Sequence, residues 1–184
     1  MDGYQIVVFF HVLGAVGLFA AWAIEAAALQ QVRRAKTFEE ARAVIRVRGR
    51  STALGPAGML VAVGTGIWMM WDRWGQQPWM AAALVAIAII VIVGMGMERR
   101  AGPRVRRSLA NSPASDLRSA IAPLVASLTV RIAVGIGILA LMTSKPGATG
   151  SAGILAGAIV TGVALAVVFT REGRSPQPSL QSQR

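Results

Sequence analysis

Three side chains in this 184-residue chain could do chemistry in an apolar setting: His11, Glu25 and Arg131. Placed together, an imidazole, a carboxylate and a guanidinium can bind an anion, relay a proton or pair with one another. Arg131 stands in the middle of the apolar run Ala120 to Met142, about the length that crosses a hydrocarbon core of roughly 30 Å. A guanidinium at that depth costs between a few and about 15 kcal/mol unless something compensates it. It must therefore face the protein interior or a wet cavity, and it needs a partner.

His11 and Glu25 share the first apolar run, two seven-residue repeats apart. His11, Leu18 and Glu25 form one stripe, and Gly14, Ala21 and Ala28 fill the adjacent one. Such a repeat keeps one seam against a neighbouring helix. At a rise of about 1.5 Å per residue, His11 is expected roughly 10 Å below the outer surface and Glu25 roughly 6 Å above the inner one. Arg131 falls near mid-depth between them, so adjacency of the first and fourth runs would make one polar column. Two readings follow. Glu25 and Arg131 form a buried ion pair that sets helix register, or the three residues line a ligand, anion or proton path. Thr65, Ser127, Thr129 and Thr161 could line that path, although helical hydroxyls more often return to their own backbone carbonyls.

The chain has no cysteine, which excludes disulfides, thiolate metal sites and cysteine nucleophiles. A single imidazole is a poor metal site. Met69 and Met70 fall near the outer end with His11, so a haem or Cu(I) site with His/Met ligands is the cofactor to test. Methionine is more often a packing residue, and no cofactor is expected by default. No nucleophile with its base, phosphate loop or paired-carboxylate site is visible, which argues against an enzyme.

The elements that position these residues follow from hydropathy. The chain is 54% hydrophobic and 15% charged, with a mean hydropathy of +0.56, a composition of the membrane class. Five segments are long enough to span: Tyr4 to Leu29, Ala53 to Trp71, Trp79 to Met97, Ala120 to Met142 and Ala152 to Phe169. Continuous runs of this length are helices, because backbone amides in lipid must be satisfied within the segment. The expected fold is an all-α, polytopic bundle of five transmembrane helices over residues 1–172, followed by a tail at 173–184 of disordered composition. The first run lacks the positive n-region of a signal peptide, since no Lys or Arg precedes Arg33.

Of the 19 Lys and Arg residues, 16 fall on one side of these spans, two (Arg73 and Lys145) on the other, and Arg131 lies within. The positive-inside rule then puts the N-terminus outside and the C-terminus in the cytoplasm of a bacterial inner membrane. Trp68, Trp71, Trp74 and Trp79 flank the expected outer loop, as an interfacial belt would. The net charge of +11 does not imply nucleic acid here, because the basic residues sit in short loops and no recognition module interrupts the spans. Arg33, Arg34, Lys36, Arg104, Arg106 and Arg107 are instead placed to meet anionic lipid headgroups. The segment after Arg33 reads as an amphipathic helix, with Phe38, Ala41 and Ile45 at helical spacing. It is an interfacial segment or a docking site for a membrane or cytoplasmic protein.

Lipid supplies no hydrophobic drive between helices, so close packing relies on small residues. Gly14, Gly58, Gly66, Gly137, Gly153 and Gly157 stand at suitable spacings for helix contact. Pro56 and Pro123 lie near the cytoplasmic ends of their spans and are expected to mark helix starts.

The sequences FHVLGAV at 10–16, GPAGMLVAVGTGIW at 55–68 and LMTSKPG at 141–147 resemble a bacterial family of small predicted integral membrane proteins of unknown function. The resemblance covers most of residues 5–147 and implies a polytopic helical fold. The opening histidine pattern is more distantly similar to copper-resistance-D-like proteins and to haem-containing protoporphyrinogen oxidases of the membrane. The latter resemblance would make His11 a candidate haem ligand. The chain departs from those enzymes in carrying no lysine within a span, its two lysines being Lys36 and Lys145. Three functions are thus open: an accessory or structural membrane subunit with a polar core, a small transporter, and a haem- or copper-binding protein.

Overall fold

A computed structural model describes residues 2–35, 39–41, 43–44, 53–111 and 114–172, with the side chains at 106 and 109–119 outside the description. Lys36, Phe38, Ile45 and the tail from 173 onward therefore lie outside the described residues. Those residues that are described fold as helices without any strand. Five helices follow one another: α1 (Gly3–Arg34), α2 (Leu54–Met69), α3 (Pro78–Asn111), α4 (Ala114–Ser144) and α5 (Ala148–Glu172). All five are long and apolar enough to cross a membrane.

The helices outrun the apolar segments that announce them. α3 continues from Met97 through Glu98, Arg99 and Arg100 and past Pro103 to Asn111. Charge ends the lipid-compatible stretch, but it does not end the backbone hydrogen bonding, and long basic side chains are good helix formers. Pro123 does not mark a helix start as expected; it lies inside α4, as the tenth residue of the helix. Pro56 is the third residue of α2, where its missing N–H is not required. At its far end α2 widens into a π turn over Met70–Trp74, closed by the Gly75 N–H donating to the Met70 carbonyl at 2.8 Å. Gly75 can do so because its φ of 62° is open to glycine.

Packing divides the bundle into two parts. α1 lies on α2, while α4 lies between α3 and α5; α1 against α4 is the seam that joins them. The first contact is backbone on backbone. A Cβ built on Gly14 would lie 2.7 Å from the Ala62 nitrogen and 2.8 Å from the Gly58 oxygen, and one on Gly58 would lie 2.7 Å from the Gly14 oxygen. In α4 and α5, a Cβ on Gly137 would meet that of Ala158 at 2.7 Å, and one on Gly162 would meet that of Ala133 at 3.0 Å. The seam is a large-into-small fit: Trp22 is buried over Gly135, where a Cβ would lie 2.6 Å from the indole ring. Phe19 packs edge-on to Trp22 at 5.1 Å.

At one end, which carries Arg33, Arg34 and Arg171, Ala41 is buried in the same core as Val32, Ala101 and Val105. The described part of the first loop thus sits on the helices. At the opposite end, aromatic side chains tie the termini of four helices. The Trp74 indole donates to the Tyr4 hydroxyl at 3.0 Å and packs edge-on to Trp79 at 5.9 Å. Arg73 lies 4.3 Å over the Tyr4 ring and Lys145 lies 4.1 Å over Trp74. Both cations of this end are held on aromatic faces.

Because Gly14 touches backbone that cannot yield, Gly14→Leu should lower stability by about 1–3 kcal/mol through overpacking. Gly64→Ala, where a Cβ meets nothing within 4 Å, should change little. Thermal unfolding of the two variants in detergent, followed by size-exclusion recovery, would check this; equal melting points would refute the contact.

Candidate functional site

α1 and α4 bring Glu25 and Arg131 together. Arg131 Nη2 donates to Glu25 Oε2 at 2.9 Å, and the two side chains are 16% and 14% exposed, respectively. The Arg131 side chain passes α3 at Gly94, where a Cβ would come within 3.3 Å of Arg131 Cδ and 3.8 Å of Nε. One turn earlier on α4, the buried Ser127 hydroxyl donates to the Val93 carbonyl at 3.4 Å. Gly94 is thus the seat on which the arginine lies, and it was not among the glycines expected to matter. Its spacing carries no signal, since it serves a side chain and not a neighbouring helix. The Arg131 Nε is buried and makes no hydrogen bond with the described residues, a loss of about 1–3 kcal/mol relative to a satisfied group.

His11 does not join this pair, so the three residues do not form a single column. Its Nδ1 lies 2.8 Å from the Ala62 carbonyl and 3.2 Å from Thr65 Oγ1, both on α2. A carbonyl can only accept, so Nδ1 carries the proton and donates. The reason for the split is geometric. A straight helix drifts by about 20° per heptad, so fourteen residues turn His11 away from the line of Glu25. α1 is wedged between α2 and α4, and the two residues address different neighbours. Gly66 makes room for the ring, with a Cβ there 3.2 Å from His11 Cε1.

The methionines near His11 are not those that sequence spacing suggested. A cavity of about 70 Å³ between the two halves is lined by His11 together with Met59, Met142, Trp22 and Ile90. Met69 and Met70, half-buried at the end of α2, do not line it. Residues 59 and 142 are far apart in sequence, and only the fold places them on one cavity. Apart from the imidazole, its lining is apolar. Among the described residues no group of three or more His, Cys, Asp or Glu could hold a metal ion.

The remaining candidates separate clearly. Gly14, Gly58, Gly66 and Gly137 sit at close contacts, whereas Gly153 and Gly157 have nothing within 4 Å of a built Cβ. Close contacts fall also at Gly162, against Ala133 and Val130, and at Gly135, against Trp22. The Thr129 hydroxyl returns to the Val125 carbonyl at 2.9 Å, while Thr161 faces a groove on the outside of α4 and α5. Arg33 donates to the Phe169 carbonyl at 3.2 Å, and Arg34, Arg104 and Arg107 are exposed. The Arg106 side chain and Lys36 are outside the described residues. No protein-family model, curated protein or solved structure matches the chain. The functional reading therefore rests on these contacts alone.

With one imidazole and no group of three or more His, Cys, Asp or Glu among the described residues, the expectation stays that no cofactor is bound. Detergent-purified protein should show no Soret band and no stoichiometric copper, and His11→Ala should leave both the spectrum and the metal content unchanged. A Soret or copper signal lost in His11→Ala would overturn this.

Proposed function

We propose that this chain is a multi-pass protein of the bacterial inner membrane, acting as a non-enzymatic accessory or structural subunit with a buried polar core. The observation that carries the reading is the 2.9 Å contact between Glu25 and Arg131, in which the two charged groups of the seam neutralise one another. Groups paired in this way fix register and orientation between helices. A path for an anion or proton needs them available to a passenger. The basic loops are the natural contact for a cytoplasmic or membrane partner and for anionic headgroups.

A structural pair makes a distinct mutational pattern. Arg131→Ala leaves a buried carboxylate and should cost on the order of 3 kcal/mol, lowering the yield of folded protein. Glu25→Ala in the same chain should restore part of that loss. A folded Arg131→Ala protein with an unchanged melting point would sink the structural reading.

In the proposed orientation, the Trp71–Gln77 end faces the periplasm. Because the chain has no cysteine, single substitutions report topology cleanly. Gln76→Cys should react with a membrane-impermeant maleimide in intact spheroplasts, and Glu39→Cys should react only after lysis. The reverse pattern would invert the topology.

A further inference from the structure

Between the basic half of α1 and α5, with α4 as its floor, runs an open groove of about 690 Å³. Along α5 it extends from Ile154 to Phe169, roughly 22 Å at the helical rise. That is longer than the roughly 15 Å of one leaflet's hydrocarbon. Its walls are apolar, with Ala26 and Leu29 facing Ala158 and Leu165, and the floor is recessed where Ala133 and Gly137 line it. The polar group at the mouth is different in kind. Arg33 lines the basic end beside Gln30, and one nitrogen donates to the Phe169 carbonyl. That bond uses one of five N–H donors, and among the described residues the rest of the guanidinium takes no partner.

Length and lining suit an extended chain: the groove is long, open along one side and walled by aliphatic side chains, with its charged group at one end only. A planar guanidinium with open donors matches a phosphate. Bulk lipid solvates the apolar walls as well as any one chain does, so discrimination must come from the headgroup.

We propose that the groove holds one acyl chain of an anionic phospholipid whose phosphate is bound by Arg33. The proposal rests on the membrane-spanning reading but not on which side the basic end faces. Resistance of the protein to carbonate extraction from membranes tests that reading separately.

The test is native mass spectrometry of detergent-purified protein given dioleoyl-phosphatidylglycerol or dioleoyl-phosphatidylcholine. The wild type should retain one phosphatidylglycerol about tenfold more tightly than phosphatidylcholine, the scale of one charge-assisted hydrogen bond. Arg33→Gln should abolish the preference, and Arg171→Gln, an exposed arginine at the same end but outside the groove, should keep it. Gly157→Leu fills the groove at a position where a Cβ meets nothing within 4 Å, so it should elute as folded protein and lose the bound lipid. If Arg33→Gln does not fold, Arg33→Lys, which keeps the charge without the fork, should weaken the preference. Glycerophosphoglycerol, the headgroup without chains, should not displace the lipid. Equal retention of the two lipids would overturn the proposal. So would retention in Gly157→Leu, displacement by the bare headgroup, or a protein subunit found seated in the groove in place of lipid.

Discussion

Two charges that cannot be left alone in hydrocarbon govern this architecture. Arg131 would cost several kcal/mol or more if it faced lipid, and Glu25 is its answer on another helix, 2.9 Å away. That requirement forces α1 against α4 at one depth and one rotation. Once the pair is made, Trp22 falls on Gly135 and Arg131 on Gly94, and the α1–α2 unit is fixed against α3, α4 and α5. Apolar side chains could pack at many registers along the same seam. A salt bridge admits only one.

Elsewhere the bundle is held by proximity and not by exclusion of water. Side chains facing outward are largely aliphatic, as with Leu60, Ile92 and Val160, which suits an environment that is itself aliphatic. What attraction remains between helices comes from close backbone approach, and glycine supplies it wherever two helices cross. The helix ends are treated differently. There the surroundings turn polar, and indoles, a phenol and two cations join through ring faces and a hydrogen bond instead of through small residues.

Much of the fold was legible because hydropathy and chain length act directly on it. Five apolar runs of spanning length became five helices. Their ends were not legible, since the ladder of backbone bonds that carries α3 to Asn111 is indifferent to the charge of Glu98 or Arg100. Proline was over-read at position 123 for a related reason: a long helix buttressed by neighbours absorbs the loss of one bond. At the site, the seven-residue repeat identified the inward side of α1, but it could not say that two different helices border that side. Small-residue spacing shows where a close approach is permitted. It does not show which permitted faces are used, so Gly153 and Gly157 stand open while Gly135 accepts an indole. Met59 and Met142 on one cavity with His11 is a coincidence in space that no local pattern records.

The separation of the two partners along the chain has a consequence for how the protein is made. Glu25 and Arg131 are 106 positions apart, and α1 leaves the ribosome well before α4. At about 5–20 residues per second, α1 and α2 reach the membrane several seconds before the arginine exists. The glycine contact of Gly14 with Gly58 and Ala62 can already form in that interval, so the first hairpin assembles on its own terms.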